Sequence, residues 1–424
     1  MMVIADPARL DLAEFVRRGD HIVWGQACGE PTTLIEALIA QAESIGGLSA
    51  FAATSFSGLL DETAADRIAL TSMGAIGALR SLTAVHKLGI IPCHVSQIGS
   101  MIEAGIIGCD VAFVQVSPAD ADGNHSFGLI GDFVQAMVAK ARVVIAEVND
   151  RVPFTCGDAA LPGARIDCAV HASRPPVAVA PARIGATDEA IALAIAGYVG
   201  DGSVLQVGVG AVPDAVLRLL HDRRDLGVHS GMIGDGLVDL VEAGVITNAL
   251  KPIDAGVSIT GALIGSQRLY DFAHANRAMR LCSSDYTHNA AVLAQLTKLV
   301  TINSAIEVDL TGQVNAEQTG GAYLGGTGGQ VDFVRAGARS PGGRSIIALP
   351  ATAKGGALSR IVAGLSGPVT TARTEVDVIV TEFGAAELKG QALAERTRRL
   401  IAIAHPDFRE ELDRAAHIIR QRGF

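Results

Sequence analysis

Aromatic and charged residues are scarce in this sequence. Only 4% of its 424 residues are aromatic, with a single tryptophan, and 18% are charged. Acidic residues outnumber basic ones by 44 to 34, which gives a formal net charge of −10. Proteins that bind nucleic acid use clustered lysine and arginine and rings that stack on bases. The composition therefore argues against nucleic acid as a partner.

Long apolar segments and paired cysteines are also lacking. The longest uncharged stretch, residues 44–60, contains three glycines and several serines, whereas a membrane-spanning helix needs about 20 mostly apolar residues. The first residues lack the basic-then-apolar order of a signal peptide. Six cysteines occur without a C-x-x-C pair, which argues against a disulfide framework and a zinc site. We predict a cytoplasmic protein with reduced thiols, no bound metal and no membrane partner.

Short apolar segments alternate along the chain with helix-like ones. Residues 111–116 read VAFVQV, residues 143–148 read VVIAEV, and residues 133–140 between them have the composition of a helix. Further strand-like segments occur at residues 203–210, 299–303, 345–350 and 377–383, and the first of these leads into a helix. Continuous apolar strands that alternate with helices indicate an α/β fold with mostly parallel sheets covered on both faces.

One segment is typical of a linker between domains. Residues 172–189 contain three prolines and end in Thr187, Asp188 and Glu189, which are residue types that begin helices. We therefore predict two open, mostly parallel α/β domains, which comprise residues 1–180 and 181–424.

Gly208 and Gly210 lie where a predicted strand turns into a predicted helix. Glycine permits a close approach to the backbone, and Pro213 suits a first helical turn. Free N–H groups at such a helix start attract phosphate groups or a developing oxyanion. The pair has two interpretations, either a ligand site or an ordinary strand-to-helix turn.

A second glycine cluster occupies four of the five positions from Gly325 to Gly329. Such a loop is costly to order, because glycine loses much conformational freedom, and we predict that it contacts a ligand. Cations follow it in an otherwise acidic chain, and they suit either an anionic ligand or a solvated surface. They are Arg335, Arg339, Arg344, Lys354 and Arg360.

Nine segments in this order resemble the acetyl-CoA hydrolase/4-hydroxybutyrate CoA-transferase family of the class I CoA-transferases. They are residues 115–128, 139–153, 205–216, 235–248, 302–317, 325–337, 346–356, 380–390 and 395–412. The resemblance covers nearly the whole chain. It implies two α/β domains with the active site in the cleft between them, and an oligomer, commonly a dimer or tetramer.

The resemblance also implies the ligand and the chemistry. Coenzyme A, as an acyl-CoA substrate and not a permanent cofactor, is held by two turns, to which we add Lys354 for its charge. The turn residues are Gly208, Gly210, Gly326, Thr327, Gly328 and Gly329. A glutamate attacks the thioester, and the released CoA thiolate then converts the mixed anhydride into a glutamyl-CoA thioester. An incoming carboxylic acid reverses both steps.

This sequence departs from the family at the nucleophile. Gly231 stands where the family's glutamate belongs, so that residue cannot be carried over. Glu62 and Glu30 are the candidates for a displaced carboxylate, and we prefer Glu62, which follows a loop-like segment and lies beside the like charge of Asp61. Itaconate CoA-transferases resemble this arrangement. Acidic residues at 61 and 62 are also typical of a first helical turn, and neither glutamate need be the nucleophile.

Two functions remain open at this stage. The first is transfer of CoA from succinyl-CoA or acetyl-CoA to a small carboxylic acid, for which the subgroup resemblance suggests itaconate. The second is a protein without transferase activity, which either hydrolyses an acyl-CoA with bound water or only binds CoA.

Overall fold

The computed structural model describes residues 2–158 and 160–421. The strands are Met2–Ile4 (β1), His21–Trp24 (β2), Ser49–Phe51 (β3), Ala69–Ser72 (β4), Leu88–Ile90 (β5), Val111–Val116 (β6), Asn124–His125 (β7), Val143–Asn149 (β8), Leu161–Pro162 (β9), Cys168–Ala172 (β10), Val204–Val207 (β11), Gly227–Ser230 (β12), Ser258–Thr260 (β13), Met279–Leu281 (β14), Leu299–Ser304 (β15), Glu307–Asp309 (β16), Val314–Asn315 (β17), Gln318–Thr319 (β18), Ala322–Tyr323 (β19), Arg344–Ala348 (β20), Thr352–Ala353 (β21), Leu358–Ser359 (β22), Ile361–Val362 (β23), Val378–Thr381 (β24) and Gly384–Glu387 (β25).

The helices lie between these strands and close the chain. They are Thr32–Ile45 (α1), Glu62–Arg67 (α2), Leu79–Ala84 (α3), Val95–Glu103 (α4), Val134–Lys140 (α5), Ala186–Ala196 (α6), Ala211–Arg218 (α7), Asp235–Glu242 (α8), Gln267–Ala273 (α9), Ser284–Thr287 (α10), Ala290–Leu293 (α11), Gln330–Arg339 (α12), Leu393–Ile403 (α13) and Pro406–Gln421 (α14). Short 3-10 turns cover Pro7–Arg9, Leu12–Glu14 and Gly163–Arg165.

The chain forms two compact units. Unit 1 contains Met1–Ala180, Gly231–Asp235 and Val257–Asn289, and unit 2 contains Pro181–Ser230, Gly236–Gly256 and Ala290–Phe424. The first division falls inside the proline-containing segment that separates the two expected domains. The two later segments of unit 1 lie within the expected second domain. Val257–Asn289 joins unit 1 through backbone hydrogen bonds to residues 129–132, and Gly231–Asp235 hydrogen-bonds in turn to residues 261–264.

Unit 1 is built on a sheet of neighbouring parallel strands in the order β1-β10-β8-β6-β2-β3-β4-β5. Every residue of β6 and β8 is buried, as expected for the apolar runs VAFVQV and VVIAEV. The side chains of Trp24, Phe113 and Ile145 belong to one core cluster with residues of α1 and α3. The strand prediction for these segments is confirmed, and so is the intervening helix, which is α5.

Unit 2 repeats the pattern with β12, β11, β15, β20 and β24 as parallel neighbours, to which β25 adds an antiparallel edge. Helix α7 follows β11, and α12 precedes β20. Both helices run antiparallel to strands that are parallel to one another, as in βαβ units. The predicted mixed α/β fold with mostly parallel sheets is confirmed. Within the described residues, no helix combines the length and the apolarity that crossing a membrane requires.

Glu147, in the middle of β8, is a buried carboxyl group that accepts a hydrogen bond from the N–H of Thr33 at 2.7 Å, in the first turn of α1. Burial raises the pKa of Glu147 to about 7, against an ordinary value of 4.5. The folded protein therefore binds this proton more tightly than the unfolded chain, so stability falls as pH rises from about 4.5 to about 7.

We expect Glu147→Gln to remove this pH dependence. At pH 8 the variant should be more stable than the wild type by about 2–3 kcal/mol, and near pH 4.5 the two should be equally stable. Urea unfolding followed by the fluorescence of Trp24, which lies buried in unit 1, measures the difference. Equal stability of the two proteins at pH 8 would contradict the assignment.

Candidate active site

The turn from β11 into α7 contains Gly208 and Gly210. Gly210 has φ +129° and precedes the first residue of α7, a backbone conformation that favours glycine. A β-carbon built on Gly208 or on Gly210 meets nothing within 4 Å. The space beside this turn is therefore open, and the N–H groups at the start of α7 lie next to it.

The second glycine loop precedes α12. A β-carbon on Gly325 would overlap the carbonyl oxygen of Ala316, whereas one on Gly328, which has φ +54°, would meet nothing within 4 Å. Glycine is therefore favoured at the two positions for different reasons. Gly325 allows two backbone segments to pack closely, and Gly328 borders open space at the start of a helix.

The topology of unit 2 brings these two turns to one edge of its sheet. Strands β11 and β15 are parallel neighbours, and the amide side chains of Gln206 and Asn303 hydrogen-bond at 3.0 Å near their carboxyl ends. Because α12 runs back to the amino end of β20, its first residue lies at the carboxyl edge. Ligands of open α/β sheets bind at that edge, so the position of both loops supports a ligand site.

Lys354 is exposed at the turn of the β21–β22 hairpin, with φ +50°. This hairpin follows the carboxyl end of β20. The other cations predicted for an anionic ligand contact protein groups. Arg335 and Arg339 lie 3.5 and 4.0 Å from Glu375, Arg344 lies 3.6 Å from Asp377, and Arg360 donates to the carbonyl groups of Ile306 and Ala305.

Glu30, one of the two candidate nucleophiles, is fully buried in unit 1. Its Oε2 atom accepts hydrogen bonds from the N–H groups of Phe56 and Ser57, each at 2.8 Å. Burial raises its pKa, and the hydroxyl group of Ser55 and these two amides oppose that change. Through these hydrogen bonds Glu30, in the segment after β2, stabilises the loop after β3. In this conformation its carboxylate is closed to a substrate.

Glu62, the preferred candidate, is the first residue of α2, and its side chain is 60% exposed. Its Oε2 lies 3.5 Å from Nζ of Lys87, which also pairs with Asp66 at 2.8 Å. Lys87 directly precedes β5, so this ion pair holds α2 near an edge strand. Asp61 caps the helix, as expected of an acid in a first helical turn. Glu62 is accessible, but no contact of the described residues joins it to Gly231.

Gly231, the position to which the sequence resemblance assigns the nucleophilic glutamate, is half-buried in unit 1. Its carbonyl oxygen accepts the N–H of Gly261 at 3.2 Å, and the carbonyl oxygen of Gly261 accepts the N–H of Gly131 at 2.8 Å. Three chain segments that are distant in sequence therefore lie side by side at this point.

A buried carboxyl group beside Gly231 was missed by the sequence analysis. Asp132 is 3% exposed and accepts a hydrogen bond from the Nε2 group of Gln26. Burial raises its pKa to about 7, and the Gln26 amide opposes that rise. A sequence signal did exist, because Asp132 is the sole charged residue between Phe127 and Val138, a segment in which most residues are apolar or small.

Two glycine turns border open space at the carboxyl edge of a parallel sheet, and this is the arrangement of backbone N–H groups that α/β proteins use to bind anionic groups. Comparison with known proteins then gives the family. Residues 8–181 match the acetyl-CoA hydrolase/transferase N-terminal domain and residues 265–416 the C-terminal domain. The chain belongs to the acetyl-CoA hydrolase/transferase family.

Individual relatives agree with this assignment. The chain is 39% identical to the 4-hydroxybutyrate coenzyme A transferase of Clostridium kluyveri, over 94% of each protein. The structure is similar to that of RipA from Yersinia pestis, with 34% identity, a TM-score of 0.91 and coverage of 99% and 97%. It is also similar to a 4-hydroxybutyrate CoA-transferase from Porphyromonas gingivalis, with 32% identity, a TM-score of 0.82 and coverage of 99% and 98%.

Proposed function

We propose that the protein is an acyl-CoA:carboxylate CoA-transferase, with coenzyme A thioesters as substrates and without a permanently bound cofactor. The observation that carries the proposal is the pair of glycine turns, at Gly208–Gly210 and Gly326–Gly329, that opens at one edge of unit 2 in a chain of this family. Backbone N–H groups there would bind phosphate or the developing oxyanion. Lys354 would add a charge that attracts the nucleotide end of CoA.

Transfer requires a nucleophilic carboxylate, and we propose Glu62. Its carboxylate oxygen attacks the thioester carbonyl, the C–S bond breaks, and the CoA thiolate leaves behind a mixed anhydride. The thiolate then attacks the glutamyl carbonyl and expels the first carboxylic acid as its carboxylate. An acceptor carboxylate reverses both steps. The exposure of Glu62 supports this role and the burial of Glu30 weighs against the alternative, whereas the ion pair with Lys87 must open for Glu62 to act.

The finer assignments rest on the sequence resemblance. We propose succinyl-CoA or acetyl-CoA as the donor, itaconate as the acceptor, a dimer or tetramer as the assembly, and the cytoplasm as the compartment. The names of the relatives give different acyl groups, so a panel of donors with itaconate, 4-hydroxybutyrate, acetate and butyrate as acceptors decides the substrate.

A trapping experiment tests the mechanism. The protein is incubated with succinyl-CoA alone, treated with hydroxylamine or borohydride, digested, and mapped by mass spectrometry. A label on Glu62 is the expected result. A label on another carboxylate would keep the transferase and overturn this residue, and steady release of CoA without any label would favour a hydrolase. CoA binding without turnover would identify a binding protein.

Gly208→Ala tests the CoA site separately from the nucleophile. The added methyl group meets no protein atom within 4 Å, so the unfolding midpoint should not change. Because the methyl group enters the space proposed for CoA, we expect the KM for acyl-CoA to rise about tenfold, which corresponds to about 1.4 kcal/mol. Gly364→Ala is the matched control, since that glycine of unit 2 also borders open space. An unchanged KM in Gly208→Ala would contradict the site.

A further inference from the structure

Asp132 and Gly231 face the same small space in unit 1. A β-carbon built on Gly261 would stand 2.6 Å from Oδ1 of Asp132 and 2.9 Å from the carbonyl oxygen of Gly231. Only glycine fits at position 261 for this reason. The backbone keeps the three residues together, because Gly261 hydrogen-bonds to Gly231 on one side and to Gly131 on the other.

The two oxygens of Asp132 have different surroundings. Oδ2 accepts the amide hydrogen of Gln26, while Oδ1 and the carbonyl oxygen of Gly231 both border the position of a β-carbon on Gly261. The main-chain oxygen of Asp132 accepts the N–H of Ser284 at 2.8 Å. The carboxyl group is thus enclosed by the segment after β2, by residue 261 after β13, and by α10.

Polar and titratable groups of α10 and of the segment after β14 lie near this space. Thr287 of α10, whose hydroxyl oxygen would lie 3.4 Å from a β-carbon on Gly261, hydrogen-bonds to Nδ1 of buried His288 at 2.8 Å. Asp285 of the same helix lies against Gly99 of α4. On the β14 side, Gly131 packs against the carbonyl group of Cys282. Neither His288 nor Asp285 is among the causes that shift the pKa of Asp132. Those causes are burial, the Gln26 amide and the backbone N–H of Asp132 itself.

We propose that Asp132 is a positioning residue for Gly231, and that its neutral carboxyl group holds the segment around Gly231 in the conformation used for CoA transfer. A protonated Oδ1 donates a hydrogen bond to the carbonyl oxygen of Gly231. An ionised carboxylate in the same place confronts that oxygen with a like partial charge and releases the segment. The inference rests on the proposed function, because it concerns the position at which the family's nucleophile is absent.

The pH profile of transfer gives the first test. With a pKa of about 7 for Asp132, the neutral form predominates below that pH, so wild-type kcat/KM should fall about tenfold for each pH unit above it. Asp132→Asn keeps a donor for Gly231 and an acceptor for Gln26 but does not titrate. We expect this variant to retain transfer at pH 6.5 and to change less than about twofold up to pH 8.5. A profile identical to that of the wild type would overturn the proposal.

Gln26→Met tests the same group without altering it. The Gln26 amide lowers the pKa of Asp132, so its loss should move the decline in kcat/KM to higher pH. A purely structural role for Asp132 would not produce that shift. Glu147→Gln is the matched control, because Glu147 is also a buried carboxyl group of unit 1 with a pKa of about 7 but lies at the start of α1. Its kinetic profile should follow the wild type, and a flattened one would contradict the proposal.

Hydrogen exchange separates this inference from the proposed function. Peptides that contain residues 230–233 are compared between wild type and Asp132→Asn at equal pH. The wild type should match the variant at pH 6 and exchange at least tenfold faster at pH 8.5. If no protein transfers CoA at any pH, the proposed function fails while this measurement still decides the role of Asp132. Equal exchange in both proteins at pH 8.5 would overturn it.

Discussion

Glu62→Gln should lower the rate of CoA exchange at least about 1000-fold, equivalent to about 4 kcal/mol of transition-state stabilisation, while the protein stays folded. The amide keeps the size of the side chain but is a far weaker nucleophile than a carboxylate, so neither the anhydride nor the glutamyl-CoA thioester can form. The measurement is exchange between succinyl-CoA and labelled succinate, with Trp24 fluorescence to verify the fold of unit 1.

Asp66→Asn is the matched control for this variant. Asp66 pairs with the same lysine at the shorter distance of 2.8 Å, so its substitution disturbs the ion pair of α2 without removing the proposed nucleophile. Exchange should remain within about twofold of wild type. If Glu62 serves α2 alone, Glu62→Gln should cost no more than the ~0.5 kcal/mol typical of a helix-end charge and leave exchange intact, which would refute its catalytic role.

Gly77→Ala should destabilise unit 1 by about 4 kcal/mol or more, the range of severe backbone conflicts. Gly77 has φ +69°, and a β-carbon there would overlap the carbonyl oxygen of Ser55. Since a carbonyl oxygen of the main chain cannot turn aside like a flexible side chain, the loop of Ser55, Phe56 and Ser57 must shift. That loop is the one that Glu30 fastens through two N–H groups, so the damage should spread to the segment after β2. Urea unfolding measures the loss.

Gly58→Ala separates backbone strain from collision. Gly58 lies in the same loop with φ +74°, but a β-carbon there meets nothing within 4 Å. Its substitution should cost about 1–2 kcal/mol, the usual strain of a left-handed residue. Equal losses for the two variants would show that the close approach at Gly77 adds nothing.

Local patterns in the sequence predicted much of the fold. The runs that became β6 and β8 are largely apolar, with Gln115 and Glu147 as exceptions, and a parallel sheet buries both faces of such a strand. The turn at Gly208–Gly210 was equally visible, because strand, glycines and helix follow one another directly. Buried strands and strand-to-helix turns depend on residues that are close together in the sequence. Composition and spacing are therefore enough to predict them.

Local sequence patterns could not predict which residues surround Gly231. Gln26 and Asp132, which hydrogen-bond to each other, are 106 positions apart, and the N–H of Asp132 donates to the carbonyl oxygen of Gly261. The burial of Glu30 was hidden for the same reason, because its partners lie in the loop after another strand. Only pairings between distant strands create these contacts, and one sequence carries no record of which segments meet.

The discontinuity of unit 1 has a consequence for biosynthesis. All strands of its sheet lie before residue 180, but the unit also includes Gly231–Asp235 and Val257–Asn289. At about 5–20 residues per second, a ribosome needs about 5–20 s to add the chain between residues 180 and 289. During that interval unit 1 lacks the segment Val257–Asn289, whose backbone hydrogen-bonds to residues 129–132. The apolar surface that stays exposed is one that a chaperone on the emerging chain would bind. Much of unit 2 is therefore synthesised before unit 1 can complete its fold.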